Sequence, residues 1–492
     1  MSEIVLAIDI GTSSARAIAF DSAGRAVSGM REQVHYEPHT DDEGASEFDA
    51  DELLDHVAQC VDGTLKRLEG AGHHIIAVGI CTFWHSMVGV DSSGHAVTPL
   101  YTWADTRSES VVPALRERLG PDYHSRTGCA VHPSYFPARL AWLARSQRDL
   151  SRSATRWVSP GEYLFLRFFG AAGCSISMAA GTGLFNQNRC DWDDQTLTAL
   201  HLRQDHLSPL TDIDSPATGL SAKWAVRWPA LADVPWVPAI GDGASSNLGS
   251  GCDNDHRIAI NLGTSGAIRV LWKASRVDIP PDLWCYRLDR KRFVMGGAFS
   301  DGGSVYAWMR ETLRLPDSDE DLEKQLAGRQ PFAHGITFLP FLSGERSIGW
   351  RPDATATVHG LRLSTEPLDI LQAAMEGVAL RFALVGESLR RVFPRADEIR
   401  ASGGALGKSE AWARIICDAI GQPVHLSAEA EASSRGAALV ALAAAGFPVD
   451  DAHTPAGTER VLNPDAERHA RYQKALAAQQ DLYNRLAARE VP

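Results

Sequence analysis

The chain has no paired cysteines, no long hydrophobic run and no excess of basic residues, and each shortage excludes a class of protein. The eight cysteines (Cys60, Cys81, Cys129, Cys174, Cys190, Cys252, Cys285 and Cys417) are scattered, with no CxxC pair and no zinc-like spacing. Such usage in a long chain suggests reduced thiols and a cytoplasmic location, not a disulfide scaffold or a zinc module. The longest nearly apolar stretch, Gly436 to Val449, is too short to cross a bilayer and carries Pro448 near its end. Met1-Ser2-Glu3 leads to Asp9 through only five apolar residues. That reads as a strand, not a signal peptide. Acidic residues outnumber basic ones, 61 to 48, for a net charge of -13. A field of that sign repels nucleic acid and anionic membranes. It also repels polyphosphates, so any site for them needs local backbone N–H groups, a metal ion and a few placed cations.

What is present suits a soluble globular protein of more than one domain. The 492 residues exceed one ordinary domain. The mixture of 44% hydrophobic and 22% charged residues supplies enough apolar mass for two cores. Ile4 to Phe20 alternates around a Gly-Thr-Ser turn, Asp21 to Gly24 is a second turn, and Arg25 to Tyr36 is a third strand, so the chain opens as an antiparallel meander. Asp51 to Leu68 has helical periodicity, Ile75 to Thr82 is a buried strand, and helical patterns continue to about residue 170. Later, Thr337 to Leu342 and Glu398 to Ala401 read as strands. Pro367 to Leu389, Glu410 to Ile420 (closed by Gly421) and Ala466 to Glu490 read as helices, the last packed on the outside.

One internal repeat organises the chain. Ile8-Asp9-Ile10-Gly11-Thr12-Ser13-Ser14-Ala15 returns as Ile260-Asn261-Leu262-Gly263-Thr264-Ser265-Gly266-Ala267, and each copy leads into an arginine-bearing strand, at Arg16 and Arg269. Half a chain is far longer than a solenoid period. The repeat implies two domains of one fold, each opening with strand, phosphate-sized turn and strand. The expected division is 1–247, 248–450 and a tail, 451–492, with the junction in the Gly/Ser cluster at 245–257.

Four places carry chemistry-bearing residues. Asp9 interrupts an apolar strand, which is costly for a carboxylate without a cationic partner. Beside it, Gly11, Thr12 and Ser13 offer hydroxyls and a backbone open to an anion. Asp9 either holds Mg2+, directly or through water, or caps a plain hairpin turn. Asp242, between Gly241 and Gly243, is either a general base reaching a ligand hydroxyl or a helix N-cap. Ser402 to Ser409 resembles a P-loop, GxxxxGK[ST], but Ser402 stands at the first glycine and the segment lies at four fifths of the chain. A glycine loop that lets an adenine lie on the backbone is the competing reading, and a plain strand-to-helix turn is the third. Finally, Trp84-His85 and Thr102-Trp103-Ala104-Asp105-Thr106-Arg107 form a polar set. Trp103, Asp105 and Arg107 at two-residue spacing would share one face of an extended segment, which suits a polyol; an Asp–Arg bridge is the bland alternative.

Together these motifs resemble the FGGY carbohydrate kinases of the actin-like, ribonuclease-H-like ATPase superfamily, from about residue 4 to 446. The second FGGY signature is intact at Gly360-Leu361, Asp369-Ile370-Leu371 and Ala373-Ala374-Met375-Glu376. The first is recognisable at Ser134 to Leu143, with Arg139 where the family usually has lysine. Phe341 to Arg346 is similar to the segment preceding the second signature. Thr102 to Ser108, His85-Ser86, Arg126-Thr127-Gly128, His132-Pro133 and Gly263 to Arg269 are most similar to the gluconokinases within that family. Two departures stand out: Asp301 before Gly302-Gly303, where gluconokinases usually carry asparagine, and Ser347-Ile348-Gly349 in place of Ala-Pro-Leu.

The resemblance implies an α/β fold of two actin-like domains with a cleft between them, a sugar-binding N-terminal domain and a nucleotide-binding C-terminal one. It implies ATP with Mg2+, Asp242 as catalytic base, and Asp9 placing the metal. Gly11, Thr12, Ser13, Gly263 and Thr264 would surround the phosphates, while Gly302, Gly403, Gly404 and Ala405 would border the nucleotide. His85, Trp103, Asp105 and Arg107 would line the sugar side, with Arg107 the first choice for a substrate carboxylate. The implied reaction is ATP-dependent phosphorylation of a sugar acid's terminal hydroxyl, D-gluconate to 6-phosphogluconate. A pentulose of the xylulose type, glycerol or another polyol is the alternative substrate. Chaperone ATPases and filament subunits share the actin-like fold, but neither needs a polyol pocket. The expected partners are therefore a small sugar and ATP, without nucleic acid or membrane, and a homodimer is left open.

Overall fold

Ile4 to Ile8 are buried at consecutive positions. Successive side chains of a strand point to opposite faces, so such a run needs cover on both. In the computed structural model, which describes residues 2–487, this run is the centre of a five-stranded sheet. The order is Ile240–Gly241, His73–Thr82, Ser2–Ile10, Ser14–Asp21 and Ala26–His35. The last three form the antiparallel meander read from the sequence, and His73–Thr82 and Ile240–Gly241 join in parallel. Helices Ala50–Leu68 and Ala432–Ala444 pack on this sheet. The second of them explains the apolar stretch after Gly436. It meets helix Asp242–Gly249 so closely that a Cβ on Gly436 would lie 1.9 Å from the Ser245 carbonyl oxygen, and one on Gly249 1.8 Å from that of Ala432.

The chain divides into two units. The first comprises the chain up to Asp253 together with Leu271–Val294 and Glu431–Ala456. The second comprises Asn254–Val270, Met295–Ala430 and the chain from Gly457 on. This division differs from the linear one expected at 247/248 and 450/451. Helix Ala432–Ala444 supplies apolar cover for the first sheet, so the chain returns to the first unit late. Within the segment after 451, Thr458–Leu462 pairs antiparallel with Val424–Ser427. The following helix, Ala466–Ala487, buries Tyr472 and Gln479; residues 488–490 of the expected helix lie outside the described residues.

In the second unit the central strands run in the order Gly266–Lys273, Arg257–Leu262, Glu398–Ser402, Val424–Ser427 and Thr458–Leu462. Helix Pro367–Val392 runs past the expected end at Leu389 and packs on Glu410–Ile420. The latter is capped by Ser409 and ends on Gly421 in the left-handed region. The stretch read as helical up to residue 170 also holds short strands at Val88–Val90, Leu100–Tyr101 and Arg156–Val158. These are too short to impose a period on the sequence. Among the described residues, no helix is long and apolar enough to cross a membrane.

The sequence repeat is a structural repeat. Each copy is an antiparallel hairpin closed by a tight turn, with Gly11 N–H donating to Ser14 O at 2.9 Å and Gly263 N–H to Ser265 O at 3.0 Å. The first strand of each hairpin also pairs in parallel with a buried strand, Asp9 opposite Cys81 and Asn261 opposite Ser402. The loops that leave those partner strands begin with Phe83-Trp84-His85 and Gly403-Gly404-Ala405.

Candidate functional site

In the first unit the parallel register sets the two candidate carboxylates at one end of the sheet. Asp9 lies opposite Cys81, Cys81 opposite Ile240, and Gly241 opposite Thr82. Asp242 follows directly as the first residue of helix Asp242–Gly249. Two strand spacings separate the chains that carry Asp9 and Asp242, about 10 Å. Ligands of α/β sheets gather at the carboxyl ends of parallel strands. Asp242 is not the helix cap, which is Gly241; its Oδ1 accepts the next backbone N–H, that of Gly243, at 2.7 Å.

Asp9 is buried at 5% exposure. Its Oδ1 accepts from the Cys81 thiol at 3.3 Å and its Oδ2 from the Ser434 hydroxyl at 3.0 Å. Arg16 Nε stands 3.8 Å away, and its Nη1 is engaged by Glu431 at 2.5 Å. Burial pushes the Asp9 carboxyl above the ordinary aspartate range, and the Arg16 charge opposes that shift.

His85 has left-handed backbone, φ +65°. Its Nδ1 meets the Gly181 carbonyl oxygen at 2.5 Å. A carbonyl can only accept, so the proton sits on Nδ1. Arg139 holds the bend by donating to the His85 and Ser134 carbonyls. Burial lowers the Arg139 guanidinium to about 10, and its fixed fork fits two carbonyls where the family's usual lysine offers one point charge. Around His85 lie Trp84, Tyr135 and Tyr286, with ring centroids 4.8 to 6.1 Å away; the Tyr135 and Tyr286 hydroxyls bond at 2.6 Å.

The Trp103–Arg107 segment is a run of turns, not the extended strand read from its spacing. Asp105 is buried, and Arg107 grips it through Nε at 3.0 Å and Nη2 at 2.5 Å; Nη2 also reaches Glu47 at 2.5 Å. The guanidinium stacks near Trp142 and Tyr101. The Asp–Arg bridge is therefore real, and it occupies two of the three guanidinium nitrogens.

In the second unit five of the sequence candidates come together. Gly302 N–H donates to Thr264 O at 3.0 Å, Gly303 N–H to Gly263 O at 2.8 Å, and Ser304 N–H to Thr264 O at 3.1 Å. These bonds stitch the second turn to the start of helix Gly303–Thr312. Gly403 has φ +111°, and a Cβ there would lie 2.4 Å from Leu262 O. Ala405 Cβ would stand 3.6 Å from a Cβ on Gly303. Gly404 meets nothing within 4 Å. After Gly403 comes a helix of only five residues, Gly404–Lys408, so the segment lacks the long loop of a P-loop. Leu406, Gly407 and Lys408 line an open groove of about 630 Å3 together with Asp319, Glu323 and Arg414.

Asp301, the departure beside Gly302, is buried at 4% exposure and accepts from Ser343 N at 2.6 Å and from the Ser343 and Ser304 hydroxyls at 3.1 Å each. Burial raises its carboxyl above the usual range. Cys81, Tyr286 and Ser343, which contact these candidates, carried no signal in the sequence. A lone serine, cysteine or tyrosine leaves no signal when its partner is far away in the chain.

The model for the FGGY family of carbohydrate kinases, N-terminal domain, matches residues 4–249, and that for the C-terminal domain matches residues 258–445. A gluconokinase of Bacillus subtilis (strain 168) is 30% identical over 91% of this chain and 88% of its own. A xylulose kinase of Escherichia coli (strain K12) is 26% identical over 98% of this chain and 99% of its own. The crystal structure of gluconate kinase from Lactobacillus acidophilus superposes with a TM-score of 0.91 at 25% identity, covering 99% of both chains.

Proposed function

Because the chain belongs to the FGGY family of carbohydrate kinases, we propose that it transfers the γ-phosphoryl group of ATP to the terminal hydroxyl of a sugar acid, D-gluconate, giving 6-phosphogluconate. The observation that carries this reading is the register of the first sheet, which puts Asp9 and Asp242 at the ends of strands flanking Cys81. Asp242 takes the proton of the substrate hydroxyl as its oxygen attacks the γ-phosphorus and the bond to the β-phosphate oxygen breaks, releasing ADP. The rest of the catalysis is positioning and charge neutralisation.

Within the first unit a phosphate-binding role falls to Gly11, Thr12 and Ser13, and within the second unit to Gly263 and Thr264. Gly302, Gly403, Gly404 and Ala405 border the nucleotide, whose base has room in the groove beside Leu406–Lys408. Mg2+ would supply charge neutralisation for the ATP phosphates, and Asp9 would help hold it, directly or through water: protein donors fill two of the carboxylate's roughly four acceptor positions. Among the described residues, no group of three or more His, Cys, Asp or Glu is arranged to hold a metal.

His85 and Trp103 line the sugar side, with Asp105 held behind Arg107. In the sugar-acid reading, the remaining nitrogen of Arg107, Nη1, takes the carboxylate. The higher identity to gluconokinase than to xylulose kinase supports it. A second reading, a neutral ketose such as xylulose, is favoured by the same triad. Arg107 already faces Asp105 and Glu47, a net charge of -1 that repels a carboxylate. A panel of sugar acids, ketoses and polyols assayed for substrate-stimulated ADP release decides between them. Stimulation by D-gluconate above all others is the expected result. Stimulation by ketoses alone replaces the first reading with the second, and stimulation by none removes both.

A further inference from the structure

Asp242 stands between two glycines at the start of helix Asp242–Gly249, and its Oδ1 accepts the Gly243 N–H at 2.7 Å. A further restraint on the backbone that carries it comes from elsewhere in the first unit. A Cβ on Gly241 would lie 1.9 Å from Trp84 Cε2 and 2.1 Å from Trp84 Nε1, so the indole rests against the backbone of the residue before Asp242. The indole is itself pinned. Its Nε1–H donates to Ser177 O at 2.9 Å, and its other edge abuts Gly181, where a Cβ would meet Cδ1 at 2.7 Å. Tyr286 packs against it with centroids 5.1 Å apart. Ser177 closes the ring, because its Oγ accepts the Gly241 N–H at 3.0 Å. Trp84 and Ser177 are both buried.

We propose that Trp84 and Ser177 are positioning residues that clamp Gly241 and thereby aim the Asp242 carboxylate at the substrate hydroxyl; this rests on Asp242 being the base. Ser177 holds Gly241 by its hydroxyl and Trp84 by its carbonyl, so one serine ties the indole and the base-bearing backbone into a single unit. Misplacing a reacting group by about 1 Å can cost roughly a hundredfold in rate, and neither residue needs to touch substrate to exert that effect.

The test is a double-mutant cycle on the full chain. Ser177→Ala and Trp84→Phe are each made alone and on top of Asp242→Asn, and kcat is measured with the best sugar of the substrate panel, along with KM for ATP. Each single variant is expected to lose about 10- to 100-fold in kcat with KM for ATP unchanged. Neither should lose anything further in the Asp242→Asn background, because there is no base left to aim. Equal losses in both backgrounds would mean general structural damage and overturn the proposal, as would a normal kcat in the single variants. If Asp242→Asn collapses turnover while Ser177→Ala and Trp84→Phe do not, the clamp alone fails. If Asp242→Asn turns over normally, the assignment of the base fails and the clamp falls with it.

Discussion

Asp9 and Cys81 face each other across parallel strands, and the buried thiol donates to the carboxylate at 3.3 Å. The second hairpin repeats that pairing with Asn261 and Ser402, whose side chains bond at 3.2 Å. The two turns thus share a backbone but differ in charge at one equivalent position. The two copies have the same pairing, and Asp9 marks the one that carries a carboxylate into the core.

That charge has a stability consequence. Burial raises the Asp9 carboxyl above its ordinary value near 3.8. The folded state therefore binds this proton more tightly than the unfolded state, and the stability this provides is lost as pH rises through the raised value. Asp9→Asn, which copies Asn261, is expected to melt at a higher temperature than wild type at pH 7 to 8, with the gain vanishing as pH approaches 3.8. Arg16 keeps Glu431 as a partner in the variant. Thermal melts across pH check this; a lower melting temperature at neutral pH would mean that attraction to Arg16 outweighs burial.

Asp242→Asn removes the proton acceptor while leaving an Oδ1 that can still accept the Gly243 N–H. A general base contributes about 10^2- to 10^4-fold, so kcat should fall by that amount while ATP binding, followed by titration calorimetry, stays near wild type. Turnover within a few-fold of wild type would send the search for a base elsewhere.

Arg107→Ala separates the two substrate readings. If Nη1 holds a substrate carboxylate, kcat/KM for D-gluconate falls well beyond that for xylulose. If the guanidinium only restrains Asp105 and Glu47, both fall equally, and the sugar-acid reading loses its cation.

Adjacent glycines in the second unit should respond very differently. Gly403→Ala puts a side chain at φ +111° and 2.4 Å from Leu262 O, whereas Gly404 faces open space. Backbone strain of that kind costs about 1 to 3 kcal/mol, and the clash adds to it. Gly403→Ala should lower the melting temperature and weaken ATP binding; Gly404→Ala should fold like wild type, so any change it makes in KM for ATP reports contact with nucleotide. Lys408→Ala should leave kcat largely intact, because the Gly404–Lys408 helix forms no phosphate loop, and should at most raise KM for ATP modestly through its place on the groove wall; a collapse of kcat would revive the P-loop reading.

The meander, the buried strand at Ile75–Thr82 and the paired hairpins were legible because each is local: alternation, a turn and a repeated octapeptide suffice. The Trp103–Arg107 segment misled for the same reason. Two-residue spacing signals an extended face only if the backbone is extended, and here the Asp105–Arg107 and Arg107–Glu47 bonds hold a series of turns. Helix Ala432–Ala444 could be seen as an apolar stretch, but not that it covers the first sheet and helix Asp242–Gly249.

By itself, the sequence determined that this is a two-unit α/β kinase of the FGGY family with a duplicated hairpin, since strand, turn and signature are written in neighbouring residues. Only the tertiary structure decided that Cys81 and Ser434 bond Asp9, that Arg107 is committed to Asp105 and Glu47, and that Trp84 and Ser177 grip the residue before Asp242. Apart from the Asp105–Arg107 pair, those contacts join groups tens to hundreds of positions apart, and hydrogen bonding and burial at such range depend on where the backbone brings each group, which no local pattern records.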